Sequence, residues 1–94
     1  MVATLRLDKT VQAALQSRLR RIQGQIAGLG RMLEDGRECS EIAQQVAAAR
    51  AALDRVAIDL VAAGLERCVR MELDGTPQAA AALERLKKTF LMLK

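Results

Sequence analysis

The sequence predicts an all-α fold of three helices, with the first two long and joined as an antiparallel hairpin and the third short. Three observations carry this. Apolar residues recur at alternating steps of three and four along most of the chain, the rhythm of one helical face. Ala and Leu are abundant while Gly and Pro are few, a balance that favours helix over strand. Two Asp-Gly pairs, Asp35-Gly36 and Asp74-Gly75, interrupt the periodic stretches, and Gly just past a periodic run is a helix stop signal.

Each element follows from these signals. Residues 1–8 read as a short flexible arm. The first helix is predicted to start near Lys9 or Thr10, with Leu15, Leu19, Ile22, Ile26, Leu29 and Leu33 on its apolar face and Gly36 as its C-terminal stop. The second is predicted from about Glu38 to about Glu72, with Ile42, Val46, Ala49, Leu53, Val56, Leu60 and Ala63 in step. Gly64 is its weak point, costing about 1 kcal/mol relative to Ala. The third opens with Thr76 as cap and Pro77 in the first helical position, and shows Leu83, Leu86, Phe90 and Leu93 on one face. The few residues between the first two helices require them to run antiparallel. Residues 1–94 read as a single domain without an internal repeat.

Phe90 is the sole aromatic residue, so the core must be aliphatic. A chain of 94 residues buries a modest share of its surface. With neither a disulfide framework nor a zinc spacing to staple it, self-association is the remaining route to a larger core. The net charge of +4 is unevenly spread: residues 1–33 carry +5, residues 34–66 carry −4 and residues 67–94 carry +3. Basic flanks around an acidic middle suit a polyanion, although solvated helix faces look the same in composition. There is no transmembrane run and no signal peptide, so no membrane partner is expected. The location expected is cytoplasmic, where thiols stay reduced. No His, no Ser triad context and no phosphate loop are present, which argues against an enzyme, and no cofactor is expected.

Cys39 and Cys68 are the most informative residues. They are 29 positions apart on the predicted second helix, within about 20° of whole turns and therefore on one face, yet about 44 Å apart along the axis. They cannot meet within one subunit if the helix is continuous. Two copies of the helix packed antiparallel about a two-fold axis would bring Cys39 of one to Cys68 of the other, twice per dimer. Two cysteines buried merely as small hydrophobes are the plain alternative. Cys39 falls in the first helical turn, where the helix's positive end favours a thiolate. Arg37 adjoins it, Arg67 and Arg70 flank Cys68, and Glu38, Glu41 and Glu66 act in the opposite sense. Met32, Met71 and Met92 sit at helical positions and read as core rather than ligands.

The run Arg18-Leu19-Arg20-Arg21-Ile22-Gln23-Gly24-Gln25-Ile26 resembles the NRLKRIEGQVRG signature of the CsoR/RcnR/FrmR repressors. Glu38-Cys39 through Asp54, and Leu65 through Val69, resemble that family's two cysteine-bearing segments, and the likeness covers nearly the whole chain without gaps. The resemblance implies a three-helix subunit assembling through a homodimer into a dimer-of-dimers homotetramer. It implies a repressor that holds double-stranded operator DNA through basic residues and releases it when an inducer occupies the cysteine site. On that pattern the DNA contacts would be Arg18, Arg20 and Arg21, then Arg50 and Arg55, with Lys87 and Lys88 weaker. Glu84 falls where the copper sensors of the family place a carboxylate just behind the site.

Copper sensors of the family place a His one turn before the second Cys. Here that position is Gly64, and the chain has no His at all. Nickel and cobalt sensing, which needs several His, is excluded on the same ground. Formaldehyde sensors usually lack the second Cys. The chain is most similar to the CstR-like branch, which keeps both cysteines without the His and responds to persulfide or polysulfide. The inducer implied is sulfane sulfur, joining Cys39 to Cys68 of the other subunit. Cu(I) held by the same two thiolates, with no other metal ligand, is the alternative. A helical oligomerisation module without DNA affinity is a second one.

Overall fold

The computed structural model describes residues 6–93. It contains α1 (Lys9–Glu34), α2 (Cys39–Leu73) and α3 (Ala79–Met92), as the periodicity predicts. Of the expected arm, residues 1–5 lie outside the described residues, and residues 6–8 precede α1 without regular structure.

The helix ends have local causes. Asp8 caps α1: its Oδ1 accepts from the Val11 N–H at 2.9 Å and its carbonyl accepts from the Gln12 N–H at 3.0 Å, satisfying donors that the first turn leaves open. Glu38 does the same for α2. Its carboxylate accepts from the Glu41 N–H at 3.1 Å and from the Ser40 hydroxyl. Both α1 and α2 stop in the same way. Gly36 and Gly75 take positive φ of 64° and 72°. Gly36 donates to the Leu33 carbonyl and Arg37 to that of Met32, while Gly75 donates to Glu72 and Thr76 to Met71. These are paired Schellman closures, built on the related runs Arg31-Met32-Leu33-Glu34-Asp35-Gly36 and Arg70-Met71-Glu72-Leu73-Asp74-Gly75.

The expected start of α3 needs correction. Thr76 does not cap it and Pro77 is not its first residue. The Thr76 N–H already closes α2, and its carbonyl accepts from Ala79 at 3.2 Å. Thr76-Pro77-Gln78 is therefore a turn, a setting that suits the fixed φ of Pro77, and α3 begins after Gln78 without a side-chain cap.

The chain forms two compact units, Ala13–Val56 and the described parts of Met1–Gln12 with Ala57–Lys94. In the first, Arg18, Arg21, Ile22 and Gln25 of α1 lie beside Ala52 and Arg55 of α2, the antiparallel pairing that the four-residue connection requires. In the second, α3 folds back along the end of α2, with Ala82 packed on Cys68 and with Met71 and Leu86 against that pair.

The apolar stripes split into two rows. On α1, Leu15 and Ile22 are buried and Leu29 is half-buried, while Leu19, Ile26 and Leu33 are exposed. On α2, Ala49 and Val56 are buried and Ile42 and Ala63 half-buried, while Val46, Leu53 and Leu60 are exposed. Every second member of each coiled-coil-like series thus faces outward from the subunit. Met92 is 83 % exposed and not core, which corrects the expectation for it. Met32 and Met71 are half-buried.

Candidate nucleic-acid interface and thiol pair

The two cysteines lie on the single helix α2 in unlike surroundings. Cys39 is its first residue and is exposed; Cys68 is buried, 4 % accessible. Ala82, Met71 and Leu86 cover Cys68, so its thiol is enclosed by aliphatic side chains of its own subunit. Cys39 sits among charges. Glu38 precedes it, Arg37 pairs with Glu41, and Ser40 follows it. The Ser40 hydroxyl, with the Ser40 and Glu41 N–H groups behind it, holds the Glu38 carboxyl below its ordinary value. The positive end of α2 therefore already carries an anion beside Cys39, a tempering of the helix-end effect that the sequence shows only as a neighbouring Glu.

Of the basic candidates, the fold brings Arg18, Arg21 and Arg55 together. They line one groove with Gln25 around Ile22 and Ala52. Arg18, Arg21, Ile22 and Gln25 are spaced three, four and seven apart, which places them on one face of α1. Arg55 meets them because the hairpin register sets it opposite. Three guanidinium groups along one groove make a surface suited to phosphates, which they engage in planar, two-point fashion.

The remaining candidates stand apart. Arg20 is about 200° around α1 from Arg18, and Arg50 is about 140° around α2 from Arg55. Both are exposed but neither lines this groove. Lys87 forms an ion pair with Glu84 at 3.4 Å, both largely exposed. Glu84 thus faces a surface lysine of α3, about 200° around the helix from Ala82 and from Leu86, the two α3 residues on Cys68. Lys88 is exposed. Leu7, within the arm that the sequence reads as flexible, is half-buried and lines a cleft with Gly64, Leu60 and Leu86. Its only sequence signal is an apolar residue directly before the capping Asp8, the place of a hydrophobic staple. Among the described residues, no three Cys, Asp or Glu side chains converge as a metal-binding group within the subunit, and no helix is long and apolar enough to cross a membrane.

Comparison with known proteins gives this arrangement a family. A curated relative, the copper-sensing transcriptional repressor RicR of Mycobacterium tuberculosis, is 36 % identical over 80 residues, covering 77 % of this chain and 83 % of its own. The Cu(I)-containing structure of the copper-sensing repressor CsoR from Geobacillus thermodenitrificans superposes with a TM-score of 0.81 at 26 % identity, over 97 % of this chain and 94 % of that one. The nickel-responsive transcriptional regulator InrS superposes with a TM-score of 0.75 at 32 % identity over the full length of both. The family model described as metal-sensitive transcriptional repressor matches residues 11–92. That match spans all three helices, and the chain belongs to the metal-sensitive transcriptional repressors of the CsoR type.

Proposed function

We propose that this repressor grips operator DNA as a homo-oligomer, in the manner of a dimer of dimers, and releases it when sulfane sulfur joins Cys39 to Cys68 of the partner subunit. DNA, the partner of any transcriptional repressor, is held chiefly by Arg18, Arg21 and Arg55, with Arg20, Arg50, Lys87 and Lys88 in supporting positions. One observation carries the sensing half: the chain has two thiols at the two ends of one unbroken helix and no His. Twenty-nine positions of α2 separate the cysteines, and in this reading a second copy, reversed, pairs them. The outward rows of Leu19, Ile26 and Leu33, and of Val46, Leu53 and Leu60, supply apolar surface for that copy.

The donor set decides between inducers. Gly64 stands one turn before Cys68 and is buried, offering no donor atom. A site of two thiolates and an imidazole cannot be assembled from this chain, and neither can an imidazole-based nickel site. Two thiolates alone remain suited to soft Cu(I). Copper is the second reading, favoured by the likeness to RicR and to Cu(I)-containing CsoR.

The sulfur chemistry needs no third ligand and no external oxidant beyond the persulfide itself. The Cys39 thiolate attacks the outer sulfur of a persulfide; the S–S bond breaks and the electron pair leaves with the parent thiolate, which takes a proton. The Cys68 thiolate of the partner subunit then attacks the Cys39 sulfur, expelling hydrogen sulfide and leaving a disulfide. If both cysteines are first persulfidated, the same exchange yields a trisulfide and one hydrogen sulfide. Cys68 must lose the cover of Ala82 and Leu86 to react, so bridging shifts α3. A tenfold loss of DNA affinity requires a difference of only about 1.4 kcal/mol between the two states.

The test treats the reduced protein, bound anaerobically to DNA from its own upstream region, with polysulfide, with Cu(I) under a competing chelator, or with peroxide. The expected result is release by polysulfide with a Cys39–Cys68 inter-subunit bridge detected by mass spectrometry. Tight stoichiometric Cu(I) binding that alone frees the DNA would establish copper instead. Equal bridging by peroxide would make the protein a general oxidant sensor, and no gel shift at moderate salt would leave a helical oligomerisation module.

A further inference from the structure

Cys68 has a soft neighbour on its own helix. Met71 follows it by three positions on α2, and residues three apart share a helix face. Met71 packs against the buried pair of Cys68 and Ala82 and is itself half-buried. Long side chains on a helix lean back toward its N-terminus, which carries the Met71 thioether toward the Cys68 thiol. The backbone there is held in place, because the Met71 carbonyl accepts from the Thr76 N–H at 2.8 Å in the closure of α2. Ala82 and Leu86, the other side chains on Cys68, belong to α3. Met71 belongs to α2 and stays beside Cys68 when α3 moves aside.

A thiolate and a thioether on one helix face are a soft donor pair, the kind that selects Cu(I). We infer that Met71 is the third ligand of a Cu(I) site made of Cys68 and Met71 of one subunit and Cys39 of the partner subunit. This deepens the copper reading above and rests on it, and on the reversed pairing of subunits that it shares with the sulfur reading. The chain has no imidazole, and the donor that Gly64 cannot supply one turn before Cys68 is replaced by one a turn after it. Both thiols release their protons to solvent on binding the metal, whereas the thioether has none to lose. A Met that serves only as filler for a core gap is the plain alternative, and a side chain of similar volume without sulfur separates the two.

The intact oligomer is reduced and loaded anaerobically with a stoichiometric amount of Cu(I). X-ray absorption counts the sulfur neighbours of the metal, and a competing chelator gives the affinity. Three sulfur neighbours are expected. Met71→Leu, a swap that nearly conserves volume, is expected to lower the count to two and to weaken Cu(I) binding about tenfold. It should leave the rate at which polysulfide bridges Cys39 to Cys68 of the partner subunit within about twofold. Two sulfur neighbours in the unaltered protein, or undiminished affinity in Met71→Leu, overturns the thioether ligand while the thiol pair stands. Equal losses of copper affinity and bridging rate in Met71→Leu mark a packing role and overturn it as well. Cys39→Ser should also remove one sulfur neighbour; a count unchanged by that variant overturns the reversed pairing, and the site with it.

Discussion

The two compact units of this subunit are built for opposite environments. Ala13–Val56 presents charge: the groove of Arg18, Arg21 and Arg55, and an exposed thiol at Cys39 beside a capping carboxylate. The other unit hides its thiol, with Cys68 under Ala82, Met71 and Leu86. The contrast teaches that cysteines on one helix, spaced to share a face, need not share a reactivity. Accessibility is set by what packs on each end of α2, and only the Cys68 end has a third helix to cover it.

The largest effect that tests this contrast is kinetic. Under native conditions, Cys39 should be alkylated at least about a hundredfold faster than Cys68, because only the latter waits for local opening. In urea the ratio should collapse, and equal native rates would erase the distinction between the units. Next comes the basic groove. Arg21→Ala and Arg55→Ala should each weaken DNA binding about tenfold and lower the salt slope by about 1. Arg20→Ala, on the other side of α1, should do less. An equal loss at Arg20 would dissolve the groove as a unit.

In the other unit, Ala82→Leu should cost about 1–3 kcal/mol by overpacking and raise the alkylation rate of Cys68, read by urea melts and labelling together. Gly36→Ala and Gly75→Ala compare the helix ends directly. An added methyl meets no atom within 4 Å at either site, so each should lose only the left-handed backbone penalty, about 1–2 kcal/mol. Unequal losses would show that the twin closures are not equivalent.

The smallest effect is at Glu38, whose folded-state carboxyl is held below the ordinary 4.5, chiefly by the Ser40 hydroxyl. The stabilisation is fully present above about pH 4.5 and is lost as pH falls through the lower folded value. Glu38→Gln should therefore flatten the acid limb of the stability curve slightly, as measured by urea melts at neutral and acid pH.

Much of this architecture was legible in the residues, and the gaps have physical reasons. Steps of three and four with two Asp-Gly stops locate α1 and α2 because periodicity and a left-handed Gly are local properties. The start of α3 is not legible, because Thr76 and Pro77 carry a helix-start signal that the closure of α2 overrides. In sequence the apolar stripes form single faces, and only the fold reveals that Leu15 and Ile22 are inside while Leu19 and Ile26 are out. Of the basic residues, Arg18 and Arg21 follow from spacing, whereas Arg55 joins them only through the register of the hairpin. The burial of Cys68 depends on Ala82, fourteen positions further along the chain, and no periodicity within α2 announces it.

The outward rows of Leu and Ile have a consequence for dosage. A subunit that leaves half of each seam in water is least stable when alone, and mass action then ties its melting temperature to its concentration. Upon dilution, folding and self-association should weaken together, and with them the operator grip and the thiol bridge proposed above, so a cell making few copies would hold a repressor looser on its operator.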